Sequence, residues 1–155
     1  MTRHEATQDT IHATCVVVGE AGVLIRGASG AGKSRLALDL VEVARARGRF
    51  ARLVGDDRLR LQASGGRLVA RPHPSIAGLV EARGIGLLAR PHLPAAIVRL
   101  VVDLSETPPE RLPEPSAFET TILGVRLPRL PAAADGRIAT IAMDSLEGLS
   151  VTPVT

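Results

Sequence analysis

A glycine-rich segment between two runs of different periodicity constrains the fold most strongly. It reads Gly27-Ala28-Ser29-Gly30-Ala31-Gly32-Lys33-Ser34 and follows the short β-type run Val23–Arg26. From Lys33 onward apolar residues recur at helical spacing, and Gly48 is a helix stop signal. The order strand, glycine loop, helix is the setting that a phosphate-binding P-loop requires.

In such a loop the backbone N–H groups and the helix N-terminus converge on phosphate oxygens. Lys33 is predicted to bridge the β- and γ-phosphates, and the Ser34 hydroxyl to bind Mg²⁺. Lys33 is the only lysine of the chain; apart from the histidines, every other basic residue is an arginine. We therefore expect ATP or GTP with Mg²⁺ as cofactors, held by the whole segment from Gly27 to Ser34.

Two adjacent carboxylates end the next predicted strand, Phe50–Val54. Asp56 and Asp57 follow Gly55, and a carboxylate at this point lies near the γ-phosphate in many P-loop proteins. One of the two is expected to face the metal or the attacking hydroxyl. The alternative interpretation, an ordinary Asp-rich turn, would be preferred if no P-loop were present.

The rest of the chain predicts short strands and loops around this centre. Strands are expected at Ala13–Val18, Ile97–Leu104 and Glu119–Leu127, and a hairpin around Ser64-Gly65-Gly66. A short helix is expected within Ile76–Glu81. Proline-rich loops are expected at Thr107–Pro115 and Pro128–Gly136, whereas Arg137–Leu146 is compatible with either a strand or a helix.

Composition limits the class of protein. The chain has 155 residues, 45% of them hydrophobic, and a formal net charge of +3. No apolar run is long enough to cross a bilayer, and no signal-peptide pattern is present, so we expect one soluble, cytoplasmic domain without membrane contact. Scattered arginines and nearly absent aromatic residues argue against nucleic-acid binding. Cys15, the only cysteine, is expected to be a core residue.

The motifs, taken together, resemble the catalytic domain of HPr kinase/phosphorylase, in its short, single-domain form. That family phosphorylates a serine of the phosphocarrier protein HPr and also removes the phosphate. The glycine loop lies beside an Asp-Asp-Arg element and a Glu-x-Arg-Gly-x-Gly element, a combination specific to the family. The matching stretches follow the family's order: Ile11-His12-Ala13, Gly22–Ser34, Leu53–Leu59 and Val80–Leu87.

The resemblance implies roles for individual residues. Asp56 would be the general base in the kinase direction and the acid in reverse. Lys33 and Arg111 would stabilise charge on the transferring phosphoryl group, and His12 would lie in the active site. Ser34 and Glu81 would hold Mg²⁺.

The resemblance also implies a fold, a partner and an assembly. The expected fold is α/β, a P-loop-containing central sheet with flanking helices, over residues 1–155 as one catalytic domain. The expected partner is an HPr-like phosphocarrier protein of the sugar phosphotransferase system, and the family is hexameric, which predicts a homo-oligomer. Two alternatives remain open: a P-loop kinase with a different acceptor, and a non-catalytic regulator that binds nucleotide.

One segment departs from the family pattern. The stretch Pro131–Arg137 corresponds to the family's proline-rich dephosphorylation loop, but it lacks the inner arginine and contains Asp135. We therefore expect a better kinase than phosphorylase.

Overall fold

The described structure is a mixed α/β fold with a large central sheet and two α-helices. The computed structural model describes residues 8–82, 84–107 and 111–150. Its elements, in chain order, are β1 Gln8–Ile11, β2 Ala13–Val18, β3 Ala21–Arg26, α1 Lys33–Ala46, β4 Ala51–Gly55, β5 Leu59–Ser64, β6 Arg67–Pro72, β7 Leu79–Ala82, β8 Gly86–Ala89, β9 Ala96–Ser105, β10 Glu119–Ile122, β11 Val125–Ala133 and α2 Ile138–Ser150. Short 3₁₀ turns lie at Pro74–Ile76 and Pro115–Phe118.

The central sheet is organised around β9. Its hydrogen-bonded order is β1-β5-β6-β9-β3-β2-β4, and β11 also pairs with β9 and carries β10. β3 and β11 run parallel to β9, with Leu24 and Arg129 both opposite Val101. β6 pairs with the beginning of β9 in the antiparallel sense, with Val69 opposite Ile97. The two parallel neighbours bring the carboxyl ends of β3 and β9 together, where the glycine loop begins.

The two faces of the sheet bury separate cores, because successive strand residues point to opposite faces. Val16 and Val18 belong to the core that contains buried residues of both helices. Cys15 and Val17 belong to the other core, which is built from strands. Cys15 is fully buried as predicted, and burial raises the pKa of its thiol to about 12.

Several predicted elements are confirmed. The strand at Ala13–Val18, the helix that starts at Lys33 and the hairpin of β5 and β6 lie where the sequence placed them. The ambiguous segment Arg137–Leu146 is helical from Ile138 onward. Among the described residues no helix is long and apolar enough to cross a bilayer.

Three predicted elements are wrong. The helix expected within Ile76–Glu81 is strand β7, because Gly78 takes a φ of 78° and the chain then pairs with β8. The single strand expected at Glu119–Leu127 is a hairpin that turns at Leu123 and Gly124. The proline-rich loop expected at Pro128–Gly136 is largely strand, since β11 continues to Ala133.

Candidate active site at the glycine-rich loop

The loop between β3 and α1 needs its glycines for geometric reasons. Gly30 and Gly32 have φ angles of 82° and 99°, which residues with a Cβ rarely adopt. A Cβ on Gly27 would lie 3.0 Å from the Leu104 carbonyl oxygen, so glycine lets the loop leave the sheet beside β9. The Ala31 N–H donates to the Ala28 carbonyl at 2.9 Å and closes the turn. The loop therefore turns tightly, with two glycines in the left-handed region of backbone conformation.

The N-terminus of α1 carries no side-chain acceptor. Its N-cap is Gly32, no side chain caps it, and its first turn has no acidic residue. The first N–H groups of a helix have no partner within the helix and carry a partial positive charge. This end of α1 is therefore suited to an anionic group.

Lys33 turns its ammonium back onto the loop. The residue is 7% exposed, and Nζ donates to the carbonyl oxygens of Gly27 at 2.9 Å and Ala28 at 3.1 Å. The positive charge of the segment thus lies at the loop itself.

Asp56 is the most tightly held side chain of the site. It is 3% exposed. Its Oδ1 accepts from the Thr14 hydroxyl at 2.7 Å, and the Ser34 hydroxyl donates to Oδ1 at 2.7 Å and to Oδ2 at 2.9 Å. The backbone N–H of Glu81 donates to Oδ2 at 3.1 Å. The carboxylate thus links the helix α1 residue Ser34 to strands β2 and β7.

Asp57 points elsewhere. Its φ is 63°, and its N–H lies 3.4 Å from the Thr14 hydroxyl oxygen. Its carboxylate is 56% exposed and lies 4.0 Å from the Nδ1 of His12, whose side chain is 77% exposed. The left-handed backbone at Asp57 separates the two adjacent carboxylates, one buried beside Ser34 and one facing solvent beside His12.

Glu81 and Arg111 are not drawn into this network by their side chains. Glu81 lies in β7 with an exposed side chain, and its backbone alone contacts Asp56. Arg111 is exposed and makes no hydrogen bond or ion pair with described residues. Arg83, of the Glu-x-Arg-Gly-x-Gly element, and Glu110 lie outside the described residues. Within the described ranges, no three His, Cys, Asp or Glu side chains form a metal-binding group.

Sequence reasoning missed two features of this region. One is Thr14, fully buried on β2, which looked like an ordinary strand residue and holds Asp56. The other is an ion cluster near the carboxyl ends of β3 and β9, where Arg26 and Arg129, the latter from the middle of β11, both bind Asp103. Burial raises the pKa of Asp103, but the hydrogen bonds from the two arginines outweigh it and leave that pKa below its usual value. A charged residue at the end of an otherwise apolar strand was the only signal.

The segment that follows β11 lies against the glycine loop. A Cβ on Gly32 would be 3.5 Å from the Cβ of Ala134. The next residue, Asp135, accepts a hydrogen bond from the Arg137 N–H at 2.7 Å, just before α2 begins at Ile138. Asp135 thus acts in the manner of a helix cap, one residue after the alanine that lies beside Gly32.

Comparisons with known proteins place the chain in a family. Residues 3–134 match the family model of the HPr Serine kinase C-terminal domain. The HPr kinase/phosphorylase of Geobacillus thermodenitrificans is 36% identical over 136 residues, which is 81% of this chain and 42% of that protein. The one from Mycoplasma mycoides subsp. mycoides is 40% identical over 76 residues, 49% of this chain and 22% of that protein.

A solved structure agrees in fold. The HPr(Ser) kinase/phosphatase from Coxiella burnetii has a TM-score of 0.71 and 28% identity, covering 92% of this chain and 99% of that one. The chain spans less than half the length of the two curated relatives described above. The family model nevertheless covers most of the chain, and the chain belongs to the HPr serine kinase C-terminal domain family.

Proposed function

We propose that the chain is an ATP- and Mg²⁺-dependent serine kinase that acts on HPr or an HPr-like phosphocarrier protein, and that it serves regulation of carbohydrate uptake and metabolism. The observation that carries the proposal is the contact between Ser34 and Asp56 beside Lys33. In a member of this family, that contact brings a candidate metal ligand and a buried carboxylate together next to the candidate phosphate-binding lysine, at the start of α1.

The hydroxyl of Ser34 is oriented for metal binding. Its hydrogen is directed to the Asp56 carboxylate, which leaves its oxygen lone pairs free for a hard cation. Mg²⁺ takes oxygen ligands and usually retains several waters beside one or two protein groups and the substrate phosphates. Ser34 would supply one such oxygen. Glu81 would supply a second, provided that its exposed carboxylate turns toward the loop. The metal would neutralise charge on the β- and γ-phosphates.

Lys33 would change partners when nucleotide binds. Among the described residues, its ammonium has no acceptor stronger than two loop carbonyls. Phosphate oxygens carry negative charge, so the ammonium forms an ion pair with them in addition to a hydrogen bond, which a neutral carbonyl oxygen cannot offer. We infer that Lys33 then bridges the β- and γ-phosphates while the N–H groups at the start of α1 bind the other oxygens.

Asp56 would accept the proton of the acceptor serine. Its carboxylate lies next to Ser34, and therefore next to the metal and γ-phosphate that Ser34 would help to hold. His12 and Asp57 would border the same site from its solvent side. Arg111 would approach the transferring phosphoryl group only when the acceptor and nucleotide are bound, since in this structure it is exposed.

Nucleotide binding has a direct readout in this chain. Lys33 carries the only side-chain amine, so an amine-reactive reagent labels one site besides the N-terminus. We expect Mg-ATP to protect Lys33, measured by peptide mass spectrometry. Unchanged labelling at saturating nucleotide would contradict the phosphate-binding role.

The acceptor is tested separately. Incubation with γ-labelled ATP, Mg²⁺ and HPr should place label on a serine of HPr, and Lys33→Ala should abolish it. An HPr variant in which that serine is alanine is the matched control. Nucleotide binding without label transfer to HPr would favour either a different acceptor or a non-catalytic regulator. A homo-oligomer, expected from the family, is checked by light scattering in the same preparation.

A further inference from the structure

The edge of β9 forks at the end of the sheet away from the glycine loop. β6 pairs with Ala96 and Ile97, whereas β11 joins the same edge only from Val101 onward. On the opposite edge, β3 pairs with Val98 and then with Leu100, so Arg99 is the extra residue of a β-bulge. Bulges commonly redirect a side chain beside a functional site. Arg99 therefore lies at the base of the fork without a ladder partner on either edge.

A cleft occupies this fork. Its volume is about 620 Å³, within the range of small-molecule sites, roughly 300–1,000 Å³. Its described lining residues come from the starts of β6, β9 and β11 and from the turn between β2 and β3, with Arg49 and Leu146 beside them. The walls therefore belong to the rigid sheet rather than to one surface loop.

The cleft is strongly basic. Among its described lining residues, Arg49, Arg67, Arg99 and Arg126 face one acidic residue, Glu20. Arg126 pairs with Glu119 at 2.8 Å and Arg49 lies 3.8 Å from Glu147. Within the described part of the chain, Arg67 and Arg99 have no ion-pair partner.

Guanidinium groups gathered in one cleft repel each other, and a multivalent anion relieves that repulsion. The planar fork of arginine also matches the paired oxygens of phosphate and carboxylate groups. The glycine loop is not the same site, because the cleft touches Ala21 at the start of β3 and the loop follows Arg26 at its end. Five strand steps separate those residues by roughly 16 Å.

We propose that the fork between β6 and β11 binds a small multivalent oxyanion through Arg67 and Arg99, with Arg49 and Arg126 at its rim. The ligand class is a molecule with two or more phosphate or carboxylate groups. This site is independent of the proposed kinase activity.

The test is a titration of the metal-free, nucleotide-free chain with a small oxyanion, in which ¹⁵N–¹H correlation spectra are recorded at each ligand concentration. The probes are inorganic pyrophosphate and tricarballylate, which separate a phosphate from a carboxylate preference. We expect saturable shifts of the backbone amides of Gly66–Leu68 and Ile97–Arg99 with at least one probe. Shifts of the glycine-loop amides report binding there and are fitted separately.

Two double variants remove the same charge. Arg67→Gln/Arg99→Gln should raise the midpoint at the cleft amides at least tenfold and leave the midpoint at the glycine loop unchanged. Arg45→Gln/Arg60→Gln, two exposed arginines outside the cleft, should change the cleft midpoint less than twofold. Arg67→Gln alone should raise the midpoint at the cleft amides by an intermediate factor. This single variant serves as the test if the double variant does not fold.

Three results would overturn the proposal. One is the absence of cleft shifts in the unmodified chain with both probes. Another is equal weakening by both double variants, which would mean a general charge effect. The last is retention of the cleft midpoint in Arg67→Gln/Arg99→Gln or in Arg67→Gln.

Discussion

Asp56, the proposed general base, is nearly buried and already accepts hydrogen bonds from Thr14, Ser34 and the Glu81 N–H. A carboxylate offers about four lone-pair sites, so these donors leave little room for an acceptor hydroxyl. Binding of Mg²⁺ to the Ser34 oxygen would also affect the hydrogen bond that the Ser34 hydroxyl donates to Asp56. The residue is therefore expected to have two effects, on proton transfer and on the orientation of the metal ligand.

Asp56→Asn should lower turnover on the order of 100- to 10,000-fold, the usual cost of losing a general base. Nucleotide affinity should change little, because the proposed role of the carboxylate is proton transfer and it would not anchor the phosphates. Turnover at saturating Mg-ATP and nucleotide affinity are measured together with the Mg²⁺ midpoint. Asp57→Asn is the matched control and should cost less than tenfold. A larger loss in Asp57→Asn would assign the proton to Asp57, and a change confined to the Mg²⁺ midpoint would limit Asp56 to metal orientation.

Thr14 positions Asp56 from the interior of the sheet. Thr14→Val keeps the shape of the side chain but removes the hydrogen bond to Oδ1. We expect turnover to fall about tenfold, with the Michaelis constant for ATP within twofold, and the free energy of unfolding to fall by about 1 kcal/mol. Thr14→Ser should restore turnover. Equal losses in the serine and valine variants would indicate a packing role only.

At the scale of elements, the sequence predicts those whose signals are local. The glycine loop and α1 were predicted because the helical spacing of the apolar residues and the glycines before and after them indicate the same helix. β11 was missed since prolines argue against strands, yet each half of β11 pairs with a single neighbour, so Pro128 and Pro131 need not donate to a second strand. The hairpin before it was missed because its turn uses Leu123 at a φ of 48°, where Asn or Gly is usual.

The candidate site shows the same division. Lys33 and Ser34 could be predicted from the loop pattern. The place after a strand indicated one of Asp56 and Asp57, and only the family resemblance selected Asp56. The contact of Asp56 with Thr14 could not be predicted in this way. The two residues are 42 positions apart in sequence, and the antiparallel pairing of β2 with β4 brings them together. The different directions of Asp56 and Asp57 follow from one left-handed backbone position, which the residue types alone do not reveal.

The ion cluster that joins β3, β9 and β11 should make stability depend on acid pH. The folded pKa of Asp103 lies below its usual value of 3.8, so its stabilisation is present above pH 3.8 and is lost as the pH falls through the folded pKa. Asp103→Asn should lower the free energy of unfolding by about 2 kcal/mol at pH 7, the size of hydrogen bonds to a charged group. Urea unfolding of Asp103→Asn and of the unmodified chain at pH 7, 5 and 3.5 measures this loss of free energy of unfolding.

The difference in the free energy of unfolding between Asp103→Asn and the unmodified chain should stay constant from pH 7 to 5 and become smaller at pH 3.5. Asp9→Asn, at an exposed position of β1, serves as the control and should differ little at any of these values. A constant difference down to pH 3.5 would contradict the lowered pKa.

At the scale of the whole molecule, we expect the direction of phosphoryl transfer to depend on charge around the glycine loop. Dephosphorylation by inorganic phosphate brings two anions together, so it needs more positive charge than phosphorylation does. Ala134 contacts the loop, and Asp135 follows it. A carboxylate at this point opposes a second phosphate. We therefore expect phosphorylation of HPr by ATP to be faster than dephosphorylation of phosphoserine-HPr by phosphate.

Asp135→Asn separates the charge of this residue from its structural role. Asparagine caps helices about as well as aspartate, so α2 should keep its stability within about 0.5 kcal/mol while the negative charge disappears. The rate of dephosphorylation should rise severalfold relative to phosphorylation, measured in both directions on the same preparation. Asp144→Asn, on α2 beside Arg47, removes an equal charge at a residue that contacts α1 rather than the loop, and should leave the ratio of rates unchanged. If both variants alter the ratio equally, the effect belongs to net charge and the segment after β11 does not set the direction of the reaction.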